Sequence, residues 1–256
     1  MDLQIKDQLF IVGGATSGFG KAIAQALLQE GAQVIAVARR ADNLKAIYGN
    51  QANAIIVEGD ITQANTINQL KIVVGEKVLH GMVINAGGPP AKMVLETTLE
   101  DWDDAYQKIL RWKVAITQTF VPSMIKAGYG RVLYIESSSV KQPIENLVLS
   151  NSLRLAVTGM VKTLSQEIAR SGVTLNILGP GSHNTPAIDR LYHKKSEQTG
   201  LPFEDVKKAA INQIPVGVLG EAKDFASLAL WLLSPQSRYV TGQTITVDGG
   251  MIKGTL

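Results

Sequence analysis

A run of glycines directly after an apolar segment restricts this chain more than any other feature. Leu9 to Val12 is continuously apolar, glycines stand at 13, 14, 18 and 20, and a helix-like pattern starts at once. Ile23 with Leu27, and Ala24 with Leu28, recur at helical spacing, and Gly31 follows as a stop. The reading is strand, tight turn, helix. Such a turn points backbone N–H groups and the positive end of a helix dipole at one place, which suits phosphate. Side chains in place of these glycines would block a pyrophosphate or forbid the positive φ angles of the turn. The spacing is Gly14-x-x-x-Gly18-x-Gly20, not the commoner G-x-G-x-x-G. An ordinary strand-to-helix turn without a ligand is the alternative that this stretch alone leaves open.

The same alternation continues along the chain. Strand candidates are Gln8 to Gly13, Gln33 to Ala38, Ala54 to Glu58, Met82 to Asn85, Arg131 to Glu136, Val173 to Leu178 and Thr244 to Val247. Helical patterns separate them at Gly18 to Glu30, Asp42 to Tyr48, Gln63 to Gly75, Asp101 to Lys126, Leu149 to Arg170 and Lys223 to Leu233. Short, continuously apolar strands between helices predict an α/β fold with a parallel sheet covered on both faces. No linker or repeat divides the chain, so residues 1–256 are read as one domain. Ser182 to Pro215 is its least regular part, a loop-and-short-helix insertion of the kind that covers a site.

Composition removes several classes of function. With 45% hydrophobic and 18% charged residues the chain can bury a sizeable core. A net charge of +3, without a basic patch interleaved with aromatics, argues against nucleic acid as a partner. The absence of cysteine excludes disulfides, thiol nucleophiles and thiolate-bound zinc. The start Met-Asp-Leu-Gln-Ile-Lys has no apolar signal core, and no apolar run approaches a membrane span. The expectation is a soluble, cytoplasmic protein with no membrane partner and no metal site.

Four ordered motifs now carry a resemblance. The glycine turn is followed by Asn85-Ala86-Gly87-Gly88 after the fourth strand and Gly179-Pro180-Gly181 after the sixth. The run from Tyr239 to Gly250, with Thr244 to Val247 inside it, completes the set. From about Lys6 onward the chain resembles the short-chain dehydrogenase/reductase superfamily. The resemblance implies a single doubly wound Rossmann domain with seven parallel strands, binding NAD(P)(H) across their carboxyl ends. Gly14, Thr16, Ser17, Gly18, Phe19 and Gly20 would then hold the diphosphate, and Asn85, Ala86 and Gly87 would lie beside the adenosine ribose. Asp60 and Ile61 would flank the adenine, Pro180 and Gly181 would line the cofactor site, and Thr185 after them would touch the nicotinamide carboxamide.

The end of the second strand discriminates between cofactors. A carboxylate there bonds the ribose 2′-hydroxyl of NAD and would repel a 2′-phosphate. Here Val37 is followed by Ala38, Arg39 and Arg40. Arginine offers several donors in a planar fork that fits phosphate. NADP(H) is therefore expected in preference to NAD(H), the alternative being two solvated loop arginines.

At the catalytic positions the chain departs from the family pattern. Aligned through Ala156-Val-Thr-Gly159, the usual Tyr-x-x-x-Lys becomes Ser150 and Arg154. A serine hydroxyl is too weak an acid to replace tyrosine unaided. Arg154 keeps a positive charge for ribose hydroxyls but does not titrate usefully. The substrate-polarising serine falls at Ser137, and the asparagine of the preceding helix is replaced by Lys113. Ile109, Lys113, Ile116 or Thr117, and Phe120 share one helix face. A lysine on an inward stripe must pair, reach a wet cavity or carry the cost of burial. Near a cationic nicotinamide its pKa would fall from the ordinary value of about 10, making it a proton donor; the alternative is a stem that snorkels over the helix edge. Other candidate acids are Tyr134 in the fifth strand and Tyr192 or His193 in the insertion, although Tyr134 reads as core and the other two as solvent-exposed.

The peptide from Val140 to Ser152 is similar to a β-ketoacyl-acyl-carrier-protein-reductase-like subgroup that lacks the Tyr-x-x-x-Lys motif. Two classes of function follow. One is an NADPH-dependent reductase of a carbonyl or conjugated enone, with Lys113, Ser137, Ser150 and Asn151 as the catalytic group. The other is a catalytically silent NADP(H)-binding protein acting as sensor or partner subunit. The two long helices carry apolar residues around much of their circumference, and the family pairs them across a two-fold axis, so a homotetramer is expected, with a homodimer as the lesser assembly.

Overall fold

The computed structural model describes residues 2–255. Along the chain run β1 (Leu9–Gly13), α1 (Gly18–Gln29), β2 (Gln33–Ala38), α2 (Ala41–Tyr48), β3 (Ala54–Glu58), α3 (Ala64–Val74) and β4 (Gly81–Ile84). These are followed by α4 (Leu99–Tyr106), α5 (Trp112–Ala127), β5 (Gly130–Ile135), α6 (Val148–Glu167) and β6 (Val173–Pro180). The chain closes with α7 (Pro186–Thr199), α8 (Phe203–Ile211), α9 (Ala222–Leu233) and β7 (Thr244–Val247).

All seven strands pair in parallel in the order β3-β2-β1-β4-β5-β6-β7. Strand residues alternate between the two faces. Leu9 and Ile11 pack with Trp112, Ile116, Phe120 and Val157. Phe10 and Val12 pack with Ile23, Leu27 and Phe225 on the other side. Burying each such side chain contributes about 1.5–3 kcal/mol as an upper figure, and because both faces are covered the strands read as continuous apolar runs. The strand order reverses between β1 and β4, which opens a crevice at their carboxyl ends.

The glycine turn lies at this crevice. Gly14 has φ +65°, and a Cβ on Gly20 would come within 2.4 Å of the Gly14 carbonyl oxygen. Ser17 is the N-cap of α1, yet its hydroxyl makes no hydrogen bond to the first turn. The N–H groups that begin the helix are thus left without a side-chain cap.

Two elements differ from the sequence reading. The helix expected over Asp101 to Lys126 is α4 and α5 joined by a π turn at Gln107–Arg111. Thr98 begins it with a reciprocal cap, accepting from Asp101 N at 3.3 Å while Asp101 Oδ2 accepts from Thr98 N at 2.9 Å. The Ser182–Pro215 insertion is mostly helical, comprising α7 and α8. Its base is fastened on two sides. His183 packs edge-on against Phe19 and Phe225, and Asn184 N donates to Gly220 O at 2.8 Å. Farther along, Lys194 Nζ donates to Ala91 O at 3.1 Å, tying α7 to the loop after β4. β7 locks the start of the insertion: Gly181 N donates to Val247 O at 2.9 Å, and a Cβ on Gly181 would meet Asp248 at 2.6 Å. Among the described residues no helix is long and apolar enough to cross a membrane.

Candidate active site

The carboxyl end of β5, with α5 and α6 packed behind it, brings four polar side chains together. Val132, Tyr134 and Glu136 fall at every second position, and Val132 and Tyr134 face the α5–α6 side of the sheet. Glu136 continues that side just past the strand end. One of its carboxylate oxygens accepts from Lys113 Nζ on α5, and the other accepts from Arg154 Nη1 on α6 at 2.8 Å. Arg154 Nε in turn donates to Ser150 Oγ at 3.0 Å. All four residues are buried, with Lys113 only 2% exposed.

Lys113 pairs with Glu136 just past β5, shares that carboxylate with Arg154 of α6, and has its Nζ 5.7 Å from the centre of the Trp112 ring on its own helix. Burial lowers its pKa to about 8; the Glu136 carboxylate pulls upward and the Arg154 guanidinium pushes downward. The inward stripe therefore resolves by pairing. The snorkelling alternative is excluded, because the ammonium lies against a carboxylate and not at the helix edge.

The other residues singled out from the sequence separate into those near the crevice and those committed elsewhere. Ser137 is half-buried one residue beyond Glu136, where its hydroxyl accepts from Ser139 N at 3.1 Å. Asn151 exchanges two hydrogen bonds with the backbone of Ile144, at 2.9 and 3.4 Å, so its amide closes the loop before α6. Tyr134 is core, as read: its hydroxyl meets Thr117 Oγ1 at 2.7 Å, and burial pushes its pKa well above the ordinary tyrosine value. His193 is exposed and stacks on Phe203 at 4.3 Å. Tyr192 corrects the expectation for the insertion. It is buried, because the turn of α7 that carries it packs inward, and its hydroxyl has no hydrogen-bond partner among the described residues.

Around the crevice, Gly14, Thr16, Gly18 and Phe19 are partly accessible, Ser17 is exposed and Gly20 is buried in the turn. The Phe19 ring leaves the turn to pack on Phe225 at 4.2 Å. Thr185, the N-cap of α7, has its methyl group 3.6 Å from where a Cβ on Gly18 would stand. Asn85 Nδ2 donates to Gly13 O at 3.1 Å and holds the β4 end against the turn. Ala86 packs on the core, and nothing lies within 4 Å of a Cβ placed on Gly87. Asp60 accepts from Thr62 N and Oγ1 at 3.0 and 2.8 Å, with Ile61 buried beside it. Arg39 and Arg40 are exposed after β2, and Pro180 and Gly181 end β6 half-buried. Arg154 Nη2 lies 3.4 Å from a Cβ placed on Gly88, so the buried charge cluster adjoins the same crevice. Among the described residues no group of three His, Cys, Asp or Glu side chains gathers to hold a metal.

Glu136 escaped the sequence reading. Its signal was present, since a carboxylate in phase with the inward residues of a strand must find a cation on the helix facing it.

Comparison with known proteins agrees with this fold. The family model described as enoyl-(acyl carrier protein) reductase matches residues 14–252. The 3-oxoacyl-[acyl-carrier-protein] reductase FabG of Thermotoga maritima is 31% identical over 260 residues, covering 98% of this chain and 100% of the relative. An actinorhodin polyketide ketoreductase solved with NADPH superposes with a TM-score of 0.91 at 26% identity, over 97% of this chain and 98% of that one. YwfH, described as an NADPH-dependent reductase involved in bacilysin biosynthesis, has a TM-score of 0.89 at 24% identity, over 97% and 100% of the two chains, a likeness of fold.

Proposed function

We propose, starting from the fact that this chain belongs to the short-chain dehydrogenase/reductase family, that it is an NADPH-dependent reductase of a carbonyl or conjugated enone whose proton comes from Lys113. The crevice fits a dinucleotide. The first N–H groups of α1 have no side-chain cap, Gly87 leaves open space, and Arg39 and Arg40 stand exposed where a 2′-phosphate would lie. Gly14 to Gly20 would hold the diphosphate, Asn85 to Gly87 the ribose, Asp60 and Ile61 the adenine, and Thr185, after Pro180 and Gly181, the carboxamide. NADPH, when bound there, would supply a hydride.

The chain's own residues supply the rest. Ser137 holds the substrate oxygen by a hydrogen bond. Lys113 gives up its proton directly or through a water, and Ser150 positions that water; Asn151, tied to Ile144, sets the loop that frames them. The observation that carries this reading is the buried Lys113 ammonium beside the crevice, with a pKa lowered to about 8. General acid catalysis contributes about a hundredfold to ten-thousandfold. Lys113→Met is expected to lower turnover by about a hundredfold or more, with NADPH affinity unchanged, in stopped-flow assays of NADPH oxidation against carbonyls and enones. Full turnover in the variant would make Lys113 structural.

A second reading, a silent NADP(H)-binding protein, draws on the same cluster, because a lysine committed to Glu136 can also serve only to hold the fold. Tight NADPH binding with no oxidation across the panel would establish it.

A further inference from the structure

Glu136 is a buried carboxylate between two cations, and none of the site residues read from the sequence includes it. Its position is over-determined. The backbone N–H of Glu136 donates to Leu178 O at 2.9 Å, fixing the residue between β5 and β6. One carboxylate oxygen is held by Arg154 Nη1, and the Arg154 Nε bond to Ser150 fixes the guanidinium plane. The other oxygen accepts from Lys113 Nζ.

The charges give this arrangement a direction. Two cations and one carboxylate make a cluster with one net positive charge. When Lys113 loses its proton, a neutral Glu136–Arg154 pair remains. Burial of net charge is disfavoured and burial of a hydrogen-bonded neutral pair much less so. Arg154 therefore stabilises the state that follows proton release, whereas Glu136 stabilises the state that precedes it. Without the carboxylate, two buried cations would face each other across the site.

We propose that Glu136 is the positioning residue of this site, setting where the Lys113 ammonium sits and how firmly it holds its proton, with Arg154 as the opposing weight. The role of Glu136 in turnover rests on Lys113 being the proton donor; its hold on the lysine proton does not. The charged groups beside Lys113 are Glu136, which it pairs with, and Arg154, which shares that carboxylate; Ser150 bonds Arg154, and the buried Tyr134 phenol bonds Thr117. The charges act in the directions the assignment needs: the Glu136 carboxylate raises and the Arg154 guanidinium lowers the Lys113 pKa.

The test uses the cofactor-free full chain with carbon-13 at lysine Cε, titrated by NMR, the Lys113 signal being identified by its loss in Lys113→Met. In the parent the midpoint is expected below those of the surface lysines. In Glu136→Gln it should fall further, by about one pH unit or more, a tenfold loss of proton affinity. In Arg154→Met it should rise. A purely structural role for the cluster would not move the two midpoints in opposite directions. A Lys113 midpoint that is unchanged in folded Glu136→Gln, or that falls in Arg154→Met, overturns the proposal. Should Glu136→Gln fail to fold, the Arg154→Met shift decides by its sign. If the midpoints move as stated while Lys113→Met retains full turnover, the Glu136 assignment stands and the proton-donor reading falls.

Discussion

Lys113 carries its charge where burial works against it, and this gives its chemistry a pH signature. Its pKa is lowered to about 8, with burial as the main cause. An acid must be protonated to act, so turnover in the reductive direction is expected to be level below pH 8 and to fall as pH rises through that value. The same shift has a stability consequence of opposite sense. Between about pH 8 and the ordinary lysine value of 10.5 the unfolded chain binds more protons than the native one, so this group makes stability rise with pH across that window. A kcat–pH profile with no alkaline limb in that region would detach Lys113 from the rate-determining proton transfer. A second prediction at this scale concerns Arg39, exposed at the end of β2. Arg39→Asp should reduce the preference for NADPH over NADH by about tenfold, about 1.4 kcal/mol, measured by calorimetric titration; equal affinities in the parent would reject the cofactor assignment. The inward direction of Lys113 was legible because helical periodicity depends only on near neighbours. Its partner was not, because the ion pairs span 23 and 18 residues and form only when β5, α5 and α6 assemble. Tyr192 was misread for a related reason: a polar-looking insertion gave no sign that α7 turns one side inward.

At the scale of elements, the seven strands were readable to within about two residues, since each is a short apolar run bounded by a turn or helix signal. The π turn was not readable. It adds one residue to a helical turn without any change of composition, and its sequence Gln107 to Arg111 looks like ordinary helix. Its position just before Trp112 and Lys113 places the irregularity beside the buried cluster, as such turns often are at functional sites. The glycine turn was the most legible element, and it carries the next prediction. A Cβ at position 20 would lie 2.4 and 2.5 Å from the carbonyl oxygens of Gly14 and Gly13. Gly20→Ala must therefore push α1 away from the turn. The expected result is a folded protein by circular dichroism with at least tenfold weaker NADPH binding, about 1.4 kcal/mol. Undiminished affinity would show that the diphosphate lies elsewhere.

At the scale of the whole molecule, α5 and α6 present a shallow recess to solvent, lined by Val114, Met160 and Leu164 together with Thr117, Gln118, Thr163 and Glu167. Leu155 is exposed on the same α6, and Tyr239, before β7, is fully exposed. β7 itself is only half-buried. Surfaces of this kind call for a second copy, and the proposed assembly is a homotetramer, with a dimer as the smaller unit. Light scattering at micromolar concentration should give the mass of four chains, and Met160→Glu should lower it; a monomer in the parent would exclude both assemblies. The closure of the sheet by β7 has a further consequence, in time and not in space. Gly181, at the mouth of the proposed site, is held by Val247 and hemmed in by Asp248, more than sixty residues later in the chain. During synthesis at about 5–20 residues per second, the glycine turn, the charge cluster and the insertion all emerge before that support exists. A ribosome that stalls short of β7 leaves a chain with most of its sheet but an unfinished site. A chain that lacks β7 therefore lacks both the hydrogen bond and the packing that hold Gly181.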